Sequence, residues 1–98
     1  MSRLPTPKLT RVLEEATQKQ APARRGYRRP KLRYAHQGGV NPPLIVIHGN
    51  SLEDISEDYR RYLERAFMQA FQLRGTPVRV VFKQGTNPYA DRKRGRQR

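Results

Sequence analysis

The longest unbroken apolar run in this chain is four residues, Leu44-Ile45-Val46-Ile47. A run this short cannot span a bilayer, which takes about 20 apolar residues in a helix. Three of its four residues are β-branched and it is bounded by Pro43 and Gly49, so it suits a central strand buried on both sides. With 98 residues and 35% hydrophobic content, the chain has material for one domain and little room for a deep enclosed pocket. The other elements must therefore be amphipathic and must cover that strand.

Leu9, Val12, Leu13 and Ala16 recur at helical spacing up to Pro22, which forbids continuation. Thr6 and Pro7 read as the N-cap and first residue of this helix. Lys31-Leu-Arg-Tyr-Ala-His36 alternates as a half-buried strand does, with Leu32, Tyr34 and His36 on one face and Arg33 and Ala35 on the other. Gln37 to Pro43 breaks it. A second helix starts after Ser56, its natural N-cap, with Glu57 and Asp58 at the positive end of the helix dipole. Tyr59, Tyr62, Leu63, Ala66, Phe67, Ala70 and Phe71 form its apolar stripe, and Gly75 stops it. Val78, Val80 and Phe82 then alternate with Arg79, Val81 and Lys83 in a last strand. The order helix-strand-strand-helix-strand predicts an α+β fold: a two-layer α/β sandwich with both helices on one face of a three-stranded sheet.

Charge narrows the function. Twenty-one Lys and Arg against eight Asp and Glu give a formal charge of +13, far beyond what solubility requires, so the partner should be anionic. Nucleic acid leads and an anionic membrane follows. The absence of cysteine excludes a disulfide framework and a thiolate zinc site, and agrees with a reducing cytoplasm. No Gly-x-Ser-x-Gly elbow, Walker loop or Gly-x-Gly-x-x-Gly fingerprint is present, so the residues given hold no recognisable hydrolase or nucleotide site. His36 and His48 stand in no ligand-spaced motif and read as structural residues near strand ends. Glu53, Asp54, Glu57 and Asp58 suit a helix start without any cation.

The cations gather in three places. Residues 21–30 form a Pro- and Gly-containing connection, expected to be exposed and mobile, in which Arg24, Arg25, Arg28 and Arg29, with Lys31 and Arg33 beyond, surround Tyr27. Guanidinium groups beside an exposed ring suit phosphates and an unpaired base, while a merely solvated connection is the competing reading. The tail Arg92-Lys93-Arg94-Gly95-Arg96-Gln97-Arg98 is too polar to fold alone, and residues 90–98 are expected to form a disordered basic arm that adds salt-sensitive affinity or only solubility. If Leu32, Tyr34, Val78, Val80 and Phe82 point inward, Arg33, Arg79 and Lys83 share the sheet face opposite the helices. The aromatic stripe of the second helix is read as core, against a stacking platform or a membrane-surface helix.

The stretches Pro30-Lys-Leu-Arg-Tyr-Ala-His-Gln-Gly-Gly39, Asn41-Pro-Pro-Leu-Ile-Val-Ile-His-Gly-Asn50, Tyr59-Arg-Arg-Tyr-Leu-Glu64, Gly75-Thr-Pro-Val-Arg79 and Asn87-Pro-Tyr89 closely resemble the C-terminal end of the Der (EngA) family of bacterial double GTPases. The resemblance implies a KH-like domain over residues 1–89, similar to a type II KH domain lacking one helix. It also implies two GTP-binding domains upstream that hold GTP and Mg, with no cofactor on the residues given. The family's role in assembly of the large ribosomal subunit implies ribosomal RNA, the large subunit and the upstream GTPase domains as partners, in the cytoplasm, with the domain a monomer. The Gly-x-x-Gly loop with which KH domains clamp nucleotides is absent, so the usual groove is not the expected site. Two functions follow: an RNA-binding module working by phosphate contacts, or an intramolecular docking module that regulates the GTPase domains and has little RNA affinity of its own.

Overall fold

A computed structural model describes residues 4–24 and 26–84, in which five elements follow the expected order. They are α1 (Thr6–Lys19), β1 (Lys31–Val40), β2 (Pro43–Asn50), α2 (Glu57–Ala70) and β3 (Arg79–Gln84). The sheet order is β1-β2-β3, with β2 central, antiparallel to β1 and parallel to β3. Leu9, Leu13 and Ala16 of α1 and Tyr59, Leu63 and Phe67 of α2 form one core with Ala35, Ile45, Ile47, Val78 and Val80. Both helices therefore lie on the same face of the sheet, and the other face carries no second layer among the described residues. This is the α+β, KH-like sandwich that the order predicts.

Helix ends match their chemistry at one terminus better than at others. Ser56 caps α2 as expected, its hydroxyl accepting from the Tyr59 amide at 3.1 Å. Thr6 does not cap α1: Pro5 occupies that position without a side-chain bond, and Thr6 is already helical. Nor does Gly75 stop α2, which ends five residues earlier. Gln72, at φ 55, turns the chain left-handed there, and the amides of Leu73 and Gln72 return to the carbonyls of Met68 and Gln69 at 2.9 and 3.2 Å. That pairing is a Schellman end in which Gln stands at the position that usually holds Gly.

β1 is longer than the alternation suggests, because the two glycines of Gln37-Gly38-Gly39 are absorbed into the strand. The β1–β2 register shifts between Leu32 and Tyr34 and again between Gln37 and Gly39, leaving Arg33 and Gly38 as extra residues. These are β-bulges. A Cβ on Gly38 would come within 2.7 Å of Val46 Cγ2, so a side chain there would push the Val46 side chain aside.

Each outer edge of the sheet is engaged by a helix at mid-strand. On β1 the Thr10 hydroxyl of α1 lies 3.2 Å from the Ala35 amide and 3.3 Å from its carbonyl, accepting from one and donating to the other. On β3 the Val80 amide donates to Glu64 at 3.0 Å, while Arg60 donates to the Val80 carbonyl at 3.3 Å. The two helices are also tied together: the Tyr59 and Tyr62 hydroxyls donate to the Gln20 and Ala16 carbonyls at 2.6 and 2.8 Å, satisfying backbone acceptors at the end of α1.

Candidate nucleic-acid interface

The Arg33 bulge decides what the open face displays. A strand alternates in twos, so one extra residue reverses which side chains face the core. Leu32 packs on the core and Ala35, three residues on, is fully buried within it. Tyr34 and His36, expected beside Leu32, stand instead on the open face. There Tyr34 pairs with His48 of β2 and His36 with Val46. Arg33 reaches the same side, its Nε donating to Asn50 Oδ1 at 2.9 Å. On β3, Val81 pairs with Val46 and Lys83 with His48, while Arg79 pairs with Leu44. The expected grouping of Arg33, Arg79 and Lys83 is thus present, with three aromatic rings among them.

Those rings are organised. The Tyr34 ring lies on the His48 ring, centroids 4.5 Å apart and planes 7° apart. His36 Nε2 meets His48 Nε2 at 2.9 Å. With centroids 4.9 Å apart and planes 22° apart, the two imidazoles are joined at their edges by a hydrogen bond. One shared proton fits between those nitrogens, and His48 Nδ1 is buried without a partner. A buried N–H without an acceptor is rarer and costlier than an unused lone pair, so the favoured arrangement has His48 Nε2 donating to His36. Burial, then the neighbouring His36 and Lys83, hold His48 below the ordinary histidine value of 6.5.

β2 is central as expected, but among the described residues its second face is not covered by another layer. Val46 is only 8% exposed because its neighbours on β1 and β3 crowd it, while lying outside the main core. Tyr34 and Val81 remain 37% and 39% exposed. No Asp or Glu occurs in any of the three strands.

A family model described as the KH-domain-like C-terminal region of EngA bacterial GTPase enzymes matches residues 3–83. The chain belongs to this family. It is 63% identical over 93 residues to GTPase Der of Cupriavidus pinatubonensis, covering 95% of this chain and 21% of that protein. Against GTPase Der of Burkholderia multivorans the identity is 63% over 92 residues, covering 94% and 21%. Paraburkholderia xenovorans GTPase Der gives the same figures. The chain thus spans about a fifth of the length of these relatives, and the part it matches is the non-catalytic KH-like domain.

Within this family domain the remaining candidates fall into distinct settings. Arg24, Arg28, Arg29 and Lys31 are exposed, and Tyr27 is 93% exposed. Pro22 and Pro30 are buried at the two ends of the connection, and Gly26 supplies its left-handed turn at φ 62. Arg28 lies 3.6 Å from Glu53 in an exposed ion pair, which weakens its claim on a phosphate only slightly. Arg25, Arg92, Lys93, Arg94, Arg96 and Arg98 lie outside the described residues. Two of the three arginines of α2 are different: Arg60 bonds to Glu57 and, at 2.7 Å, to Glu64, and Arg61 lies 3.9 Å from Glu57. Their charge is matched within the helix.

Tyr34 and His36 are what a strict reading of alternation misses. A signal was present: Leu32 and Ala35 are the apolar residues that suit the core, and they are three apart instead of two. Among the described residues, no helix is long and apolar enough to cross a membrane, and no three His, Cys, Asp or Glu side chains gather as a metal site.

Proposed function

We propose that the domain binds ribosomal RNA of the large subunit during ribosome biogenesis, mainly through phosphate contacts that give affinity without reading sequence. One observation carries this reading. Arg24, Arg29, Lys31, Arg33, Arg79 and Lys83 are exposed or open-face cations with no carboxylate within ion-pair distance among the described residues. By the family's organisation, two GTP-binding domains with Mg precede it in the whole protein, in the cytoplasm, and their nucleotide state governs when this surface meets the ribosome. Arg25 and the basic run Arg92, Lys93, Arg94, Arg96 and Arg98 add to the same field.

The test is binding of the 98-residue chain to ribosomal RNA fragments and large subunits over a salt series, beside a version ending at Tyr89. Three phosphate contacts on duplex RNA should cost about 40-fold in affinity for a fourfold rise in salt. Truncation should flatten that slope. Absence of binding at low salt would overturn the reading.

A second reading has its own support on the opposite side of the sandwich. An open groove between α1 and α2 has a floor of Val12, Ala16, Tyr62 and Ala66, with Glu15 and Arg65 at its rim. That surface suits docking on the upstream GTPase domains. It leaves the open sheet face uncovered, so docking and RNA contact are compatible, and Arg→Gln changes in the connection would weaken RNA binding while sparing the groove.

A further inference from the structure

We propose that the open sheet face is a stacking platform for an unpaired nucleotide, with Tyr34 as the ring that meets the base and Arg33 and Lys83 as the cations beside its phosphates. This rests on the RNA reading above and goes further, because it assigns a substrate class, single-stranded RNA, and a place that differs from both the basic connection and the Gly-x-x-Gly groove.

Three observations converge on that face. First, Tyr34 is exposed yet held: its ring lies 4.5 Å from His48 and nearly parallel to it, and His48 is fixed in turn by its 2.9 Å bond to His36. A ring already immobilised loses little further entropy when a base stacks on it. Second, the surroundings suit a base. Val46 and the exposed Val81 supply apolar floor, and Gly38 contributes no side chain beside Val46. Third, charge is one-sided: Lys83 pairs with His48 and Arg79 with Leu44, Arg33 lies at the other border, and the strands contain no carboxylate.

The shape of the face separates single strands from duplexes. A base inside a duplex hides both its faces in the stack, so a ring on a flat sheet gains nothing from it beyond backbone contact. An unpaired base offers a π-face of any sequence. One mid-strand residue on each sheet edge, Ala35 and Val80, is already bonded to a helix side chain, which favours the face over strand addition as the way in for a partner.

The chain contains only two histidines, and both lie in this cluster, so their imidazole NMR signals report on it directly. Titration of the 98-residue chain with an unstructured oligouridine of about ten nucleotides should move both sets of ring signals, and a duplex of equal length should not. Tyr34→Leu should lower single-strand affinity by about 5- to 150-fold with the salt slope unchanged. Tyr34→Phe should restore it. Lys83→Gln should instead reduce the slope by about one phosphate. Tyr34 lies outside the helix-covered core, and circular dichroism of each variant checks the fold. Wild-type affinity in Tyr34→Leu, or histidine signals unmoved at saturating RNA, would overturn the platform while salt-sensitive binding elsewhere kept the broader RNA reading alive. No RNA binding by the wild-type chain would overturn both. Signals that respond to the GTPase domains and not to RNA would make the face a protein-docking surface and overturn the proposal.

Discussion

The two faces of β2 are built from alternate residues of one short strand, and they serve different ends. Ile45 and Ile47 point to the helices and are fully buried. Val46 and His48 point away, towards rings and cations. The same division holds among the described residues: the three strands contain no Asp or Glu, whereas Glu14, Glu15, Glu57, Asp58 and Glu64 lie on the helices and Glu53 and Asp54 just before α2. Carboxylates are confined to the helical layer, while cations occur in both. Stability explains the covered face completely, since apolar burial requires it. It does not explain why the other face gathers cations without partners, and that surplus is where function is to be sought.

The comparison can be broken by substitutions on either side. Phe67→Ala should remove about 3–5 kcal/mol from the unfolding free energy in urea, because Phe67 is fully buried at the centre of the core. Tyr34→Leu on the open face should cost about 1 kcal/mol, from loss of the ring stack on His48, and a cost near that of Phe67→Ala would mean the face is structural after all. Gly49→Ala should cost about 1–3 kcal/mol, since its Cβ would collide with the Lys31 carbonyl oxygen and force β1 away from β2. Tyr59→Phe should cost about 1 kcal/mol by urea titration, from loss of the 2.6 Å bond to the Gln20 carbonyl. In the folded chain, burial and then Tyr62 push the Tyr59 phenol up to about 12.

The smallest effect concerns acid. His48 is held below its ordinary value by burial, His36 and Lys83, so the unfolded chain binds a proton more readily than the folded one. The stabilisation is present above the ordinary value of 6.5 and is lost as the pH falls through the lower folded value. Urea midpoints should therefore decline on acidification below neutrality, and His48→Gln should reduce that decline. An unchanged decline in the variant would remove His48 from the account.

Much of this was legible in the residues. The five elements, the central place of β2, the Ser56 cap and the core stripe of α2 follow from periodicity and capping chemistry, because each is decided within a few neighbouring residues. The open face was half legible. Arg79 and Lys83 fall on it by alternation, but Tyr34 and His36 do not, since a bulge exists only in relation to the strand across from it. Val46 shows the same limit: its β-branched run reads as buried on both sides, and among the described residues crowding by adjacent strands produces that burial without a second layer. At the end of α2, Gly75 is the stronger local stop, yet the left-handed turn falls on Gln72, where Leu73 can return towards the core.

Thr10 on one border of the sheet, and Arg60 with Glu64 on the other, have a consequence for crowding. An open ladder of amides and carbonyls is a template on which a second copy can grow, and three-stranded sheets have two such ladders. Here each is occupied at its middle by side chains from the domain's own helices. That occupation shortens the run of free amides and carbonyls on which the sheet of a second copy could grow.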